Sequence, residues 1–146
     1  MNIAVVGLGF VGLSISSVLA SKNYNVVGID IDNQKCSDIR NGVLPLFEPE
    51  LENTLRIGLK KKLTISNNFS LIKNCDMIFV TVGTPQTPLG AIELSMIKKA
   101  ATTIGQIIRK SKKNPIIFIK STVIPGTAQN VILPILEKKS GKKADR

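Results

Sequence analysis

Apolar residues in this 146-residue chain alternate between short continuous runs and longer stretches at helical spacing. Ile3-Ala4-Val5-Val6 is a run that stops at Gly7, the pattern of a buried strand. From Val11 onward, Leu13, Ile15, Val18 and Leu19 recur at helical spacing until Lys22-Asn23, which reads as a C-terminal stop. Val26-Val27-Gly28-Ile29-Asp30 is a second strand, and Asp32-Asn33 can cap a helix over 34–41 that Gly42 ends. Residues 45–49 read as loop, and a helix follows over 50–59. Leu63-Thr64-Ile65 is a short strand, and Asn67-Asn68 caps a helical turn over 70–73. The run 77–82 is the clearest strand, whereas 83–90, with Pro85 and Pro88, must be loop. A longer helix is predicted over 95–110, a fifth strand over 116–119, and a last helix over 127–139 with a kink or break at Pro134.

Strands alternating with helices in this way imply right-handed crossovers and a parallel sheet with helices on both faces. The predicted fold is therefore α/β, a doubly wound sheet of the Rossmann type forming one domain over 1–146. No repeat, low-complexity segment or internal linker interrupts it. Such sheets usually gain a sixth strand after the last helix. Here the polar tail 140–146 follows instead, so five strands are expected, with an uncovered edge where the sixth belongs.

Composition narrows the function. Apolar residues make up 43% and charged residues 21%, an ordinary globular balance. No apolar run reaches the roughly 20 residues of a membrane span, and no basic segment precedes the first apolar stretch, so a cytoplasmic protein without a signal peptide is expected. The chain has no histidine, which excludes Ser-His-Asp and Cys-His chemistry for this chain acting alone. Cys36 and Cys75 lack metal-ligand spacing and read as packing residues; no metal site is expected. A net charge of +10 invites a nucleic-acid reading. The cations, however, cluster at 60–62, 109–113 and 138–143, each after a helical pattern, where they complement helix C-termini. No aromatic residue interleaves with them as a base-stacking platform would, so no nucleic-acid partner is expected.

Gly7-Leu8-Gly9-Phe10-Val11-Gly12 matches G-x-G-x-x-G, and it follows a strand, opens a helix and lies in a βαβ unit. In that context Gly7 permits the tight turn, Gly9 lets the backbone approach a pyrophosphate, and Gly12 allows close helix–strand packing. The helix N-terminus beyond them offers unpaired N–H groups and a favourable dipole to phosphates. Asp30, at the end of the second strand, stands where a ribose-binding acid is expected. Its carboxylate can accept from ribose hydroxyls but would repel a 2′-phosphate, which points to NAD rather than NADP. Asp32 competes for that role and reads mainly as a helix cap. Lys35 is open to two readings, over the adenosine or as a solvated helix lysine.

Three further stretches follow in order: Leu44-Pro45-Leu46-Phe47-Glu48-Pro49-Glu50-Leu51, Val82-Gly83-Thr84-Pro85 and Lys120-Ser121-Thr122-Val123-Ile124-Pro125-Gly126-Thr127. With the glycine loop they resemble the N-terminal, NAD-binding domain of the UDP-glucose/GDP-mannose dehydrogenase family of nucleotide-sugar 6-dehydrogenases. That family oxidises a C6 alcohol to a carboxylate in two NAD-dependent steps, through a cysteine-linked thiohemiacetal. The resemblance implies that Phe10 and Val11 contact the pyrophosphate through the backbone and that Asp30 and Lys35 hold the adenosine ribose. It places Thr84 and Thr122 beside the cofactor, with Thr122 helping to position a water near the reaction centre. Locally these two threonines could equally be strand-ending turn residues. The implied partners are NAD and a nucleotide sugar, a UDP-sugar foremost, in a full-length homo-oligomer.

Two departures stand out. Glu50 replaces the glycine of the family's E-P-G-L, and residues 86–92 lack the polar, acidic character usual after the T-P dipeptide. The family's nucleophilic cysteine lies in later segments, and neither Cys36 nor Cys75 matches it, so the chain is not catalytically complete alone. A freestanding NAD-binding or scaffold module without chemistry remains an alternative. So does the N-terminal domain of another hydroxyacid-type dehydrogenase, although the K-S-T-V and V-G-T-P stretches argue against it.

Overall fold

The computed structural model describes residues 1–44, 48, 50–88 and 90–144. Much of the Leu44–Leu51 motif thus lies outside the described residues, as does Leu89. The elements run β1 (Asn2–Val6), α1 (Phe10–Ser21), β2 (Asn25–Ile29), α2 (Asn33–Arg40), α3 (Leu51–Lys61) and β3 (Leu63–Ser66). A 3-10 turn over Phe69–Asn74 leads into β4 (Met77–Val80), followed by α4 (Ser95–Ile108), β5 (Ile116–Ile119) and α5 (Leu133–Ser140). The strands form one sheet in the order β3-β2-β1-β4-β5. Every pairing in it is parallel.

The two faces follow from strand geometry, because successive side chains point to opposite sides. On β1, Ile3 and Val5 join one core with Leu8, Leu13, Leu55, Leu63 and Ile65. Ala4 and Val6 join the other, with Ile78, Val80, Ile97, Ile104 and Ile132. Helices α1 and α3 therefore cover one face, and α4 and α5 the other. Burying each such Ile or Leu is worth roughly 1.5–3 kcal/mol, so the two layers hold the strands, and the loops at their ends, in fixed register. Position 58 is glycine where α3 crosses α1; a Cβ there would lie 3.3 Å from that of Ala20 and 3.4 Å from the Ser17 carbonyl oxygen.

Element ends move by a residue or two from the sequence expectation, for identifiable reasons. β2 stops at Ile29, because the Asp30 side chain turns back to bind backbone amides. Asp32 caps α2 by accepting from the Lys35 amide, and Asn68 caps the 3-10 turn by accepting from Ser70. The expected last helix is divided: a π turn over Ala128–Ile132 precedes α5, with Pro134 in the first turn of α5. The backbone stays helical across this junction, so Pro134, which has no N–H to donate, sits where the π turn passes into the α-helix. Cationic residues fall in the last turns of α3 (Lys60, Lys61) and α5 (Lys138, Lys139), where the helix dipole favours them.

β5 is an edge strand, and Ile116 and Phe118 on it remain 55% and 37% exposed. Beside it an apolar cavity of about 460 Å³ is bounded by β5 and α5, with Ile119, Ile132 and Leu136 among its walls. No helix among the described residues is long and apolar enough to cross a membrane.

Candidate cofactor site

Because all five strands are parallel, their C-terminal ends share one edge of the sheet. The glycine loop follows β1 there, Asp30 follows β2, the V-G-T-P loop follows β4 and the K-S-T stretch follows β5. The order reverses around β1, which leads to β2 on one side and borders β4 on the other. Crevices at such switch points are where doubly wound sheets bind ligands.

Two of the three glycines in the loop are required by the fold itself, each for a different reason. Gly7 has φ +99°, and a Cβ on it would lie 2.8 Å from the Val82 nitrogen. Its own N–H donates to the Ile29 carbonyl at 2.8 Å. At Gly12 a Cβ would lie 1.9 Å from the Gly7 carbonyl oxygen, so only a glycine lets α1 approach the turn this closely. Gly9 differs from both. Its φ of −74° suits any residue, and an added Cβ would meet nothing within 4 Å. No internal contact demands a glycine there, which leaves open space in front of the helix terminus.

That terminus is uncapped: no side chain bonds it and its first turn holds no acidic residue. The first i→i−4 bond runs from the Leu13 N–H to the Gly9 carbonyl, at 2.9 Å. The amides of Phe10, Val11 and Gly12 precede it and are among the four donors that every helix leaves unpaired. Phe10 and Val11 are also 47% and 44% exposed, unusual for large apolar residues beside a core.

Asp30 is nearly buried, at 7% exposure. Its Oδ2 accepts from the Leu8 N–H at 2.8 Å and from Lys35 Nζ at 3.0 Å, and its Oδ1 accepts from the Asp32 N–H at 3.0 Å. Burial pushes the carboxyl pKa up, but the Asp32 and Leu8 amides and Lys35 together outweigh it and hold the group below its ordinary value. Asp30 is therefore ionised at neutral pH. A carboxylate offers about four acceptor sites, and these contacts leave one on Oδ1. Lys35 spends one of its three donors on Asp30.

On the β4–β5 side, Thr84 Oγ1 donates to the Thr122 carbonyl at 2.7 Å, so the two threonines singled out from the sequence are directly joined. Ser121 Oγ donates to the Val82 carbonyl at 2.7 Å and ties the same two loops a second time. Despite its unusual composition, the segment after Pro85 closes on itself. Gln86 bridges Ile92, the Thr87 N–H donates to the Ala91 carbonyl, and the Glu93 N–H to the Pro85 carbonyl.

Sequence reasoning missed Thr81, whose Oγ1 donates to the Gly7 carbonyl at 2.6 Å, and the bond between Asp30 and Leu8. Neither carries a spacing signal, since each exists only because β2 and β4 flank β1. Cys36 and Cys75 are buried, and burial raises both thiol pKa values, that of Cys75 to about 11. Both stay protonated at neutral pH and are poor nucleophiles.

Comparison with known proteins agrees with this geometry. Residues 1–146 match the UDP-glucose/GDP-mannose dehydrogenase family, NAD binding domain. GDP-mannose 6-dehydrogenase of Pseudomonas syringae pv. tomato is 40% identical over 146 residues, covering 99% of this chain and 33% of that protein. UDP-glucose 6-dehydrogenase of Haloferax volcanii is 32% identical over 143 residues, covering 98% of this chain and 33% of the relative. Among solved structures, a ternary complex of GDP-mannose dehydrogenase from Pseudomonas aeruginosa superposes with a TM-score of 0.94 at 34% identity, covering 98% of this chain and 33% of that one. UDP-glucose dehydrogenase from Pyrobaculum islandicum gives 0.92 at 29% identity, over 97% and 33% of the two chains. The chain thus spans about a third of the length of the curated relatives it matches. Its glycine loop, acidic residue after β2 and parallel sheet are those of a dinucleotide-binding domain, and the chain belongs to the UDP-glucose/GDP-mannose dehydrogenase family as its NAD binding domain.

Proposed function

We propose that this chain lays NAD across the C-terminal edge of its sheet and is the cofactor-holding part of a nucleotide-sugar 6-dehydrogenase. The observation that carries the reading is Gly9. It faces open space, has ordinary backbone angles and stands before three unpaired amides, so its missing side chain serves an external group rather than internal packing. The Phe10 and Val11 amides receive the pyrophosphate, while Gly7 and Gly12 shape the turn that presents them. Asp30 accepts one ribose hydroxyl on the free site of Oδ1, and Lys35, with two donors unspent, gives a hydrogen bond to the other. An ionised carboxylate at this place repels a 2′-phosphate, which favours NAD over NADP.

NAD supplies the hydride acceptor for oxidation of an alcohol. Thr84 and Thr122 stand at the nicotinamide side, where Thr122 helps position a water. The sugar nucleotide is a nucleoside-diphosphate sugar. The more similar of the two relatives described above is named for GDP-mannose and the other for UDP-glucose, so a UDP-sugar is not singled out. Nitrogen-15 amide spectra recorded during an NAD titration test the site. Shifts concentrated at Leu8, Phe10, Val11 and Asp30 are expected; shifts confined to another edge of the sheet would refute it.

A further inference from the structure

The peptide unit joining Gly7 to Leu8 is gripped at both of its polar ends. Its carbonyl accepts from Thr81 Oγ1 at 2.6 Å, and its N–H donates to Asp30 Oδ2 at 2.8 Å. A peptide is planar, so fixing both atoms fixes the orientation of the whole unit. The two anchors come from opposite neighbours of β1, one just past β4 and the other just past β2. The carbonyl also occupies the space that a Gly12 Cβ would need, 1.9 Å away, so its direction sets how α1 docks. The hydroxyl's other neighbour, the Val6 carbonyl at 3.1 Å, is the longer contact, and one hydroxyl proton serves chiefly one acceptor.

We propose that Thr81 is a positioning residue for the dinucleotide. By holding the Gly7–Leu8 peptide in one orientation, its hydroxyl aims the first amides of α1 at the pyrophosphate. The inference rests on the glycine loop being the NAD site. Without the hydroxyl, Gly7 keeps its backbone angle under steric pressure, but its carbonyl loses a fixed partner and the loop samples other orientations. The cost falls on phosphate contacts, not on adenosine contacts at Asp30 and Lys35.

The decisive comparison is Thr81→Ala against Thr81→Ser, because serine lacks the methyl but retains the donor. Kd values for NAD and for adenosine, which has no phosphate, are measured by titration on the wild-type chain and both variants, with circular dichroism to verify folding. Thr81→Ala is expected to bind NAD about tenfold more weakly, the scale of one lost hydrogen bond. Adenosine binding stays within about twofold, and Thr81→Ser restores NAD binding. Thr81→Cys, close in size and a weak donor, takes the place of alanine if that variant does not fold, with the same expected loss. The inference is overturned if the hydroxyl-deficient variant binds NAD as the wild type does, if serine is as impaired as alanine, or if adenosine weakens equally. A folded wild-type chain that binds no NAD would instead refute the cofactor site itself, and the role of Thr81 with it.

Discussion

Glu50 stands in the left-handed region, with φ 68° and ψ −20°, immediately before α3. A residue with a Cβ carries a penalty of about 1–2 kcal/mol there. The position offers no compensating side-chain cap, since the Glu50 contacts to Thr54 use its backbone carbonyl. Glu50→Gly is therefore expected to stabilise the chain by about 0.5–1 kcal/mol, after allowing for the greater freedom of glycine in the unfolded state. A urea midpoint that rises confirms this, and one that falls shows that the side chain has a role the backbone angles do not reveal. Asp30 was legible from its distance to the glycine loop, because a fixed βαβ geometry fixes that spacing. Its bond to Leu8 was not, nor was the part played by Thr81, since contacts across neighbouring strands leave no periodicity in the chain.

Within the βαβ element, one loop contains glycines with opposite sensitivities. Gly12→Ala forces a Cβ to 1.9 Å from a backbone oxygen, which cannot move without shifting β1 or α1. A destabilisation of about 3 kcal/mol or more is expected, the scale of overpacking in a rigid core. Gly9→Ala adds a methyl to empty space, so thermal stability should hold within about 0.5 kcal/mol. NAD affinity should nonetheless fall, because the methyl enters the space where the pyrophosphate approaches. A thermal melt and a titration on each variant separate the two effects, and equal melting temperatures for both variants would contradict the packing argument. Hydrophobic rhythm located the five strands and α1, because core-facing positions repeat, whereas the polar α2 was legible only from its flanking Asp32 and Gly42. The rhythm placed the boundaries less well. β4 ends at Val80, two residues before its apolar run does, since from Thr81 onward the chain turns to hold the glycine loop. An irregularity near Pro134 was readable because proline has no N–H to give to a helix; that the helix runs on through a π turn and does not break was not.

At the scale of the whole molecule, net charge and a few carboxylates govern the response to acid. Asp30 and Asp76 both have pKa values held below the ordinary 3.8, Asp76 chiefly by a hydrogen bond from Lys113. A carboxylate depressed in the folded state contributes stability that is full above its unfolded value and is lost as pH falls through its folded value. Stability should therefore decline below about pH 4, where protonation also raises a charge that is already +10. Asp30→Asn should be less stable at pH 7 and show a shallower acid decline, as read from urea midpoints between pH 7 and 3; an unchanged slope would place the acid sensitivity elsewhere. Sheet order was within reach of the sequence because parallel crossovers leave few alternatives. The joining of Thr84 to Thr122 was not, since it depends on how two irregular loops settle. The central claim, a site built for NAD with Asp30 at the ribose, is most directly tested by calorimetric titration of the wild-type chain and Asp30→Ala with NAD and NADP. NAD should bind the wild type at least about tenfold more tightly than NADP does, the worth of roughly 1.4 kcal/mol, and the substitution should weaken NAD and erase most of that preference. Equal affinities in the wild type, or a preference that survives the loss of the carboxylate, would contradict it.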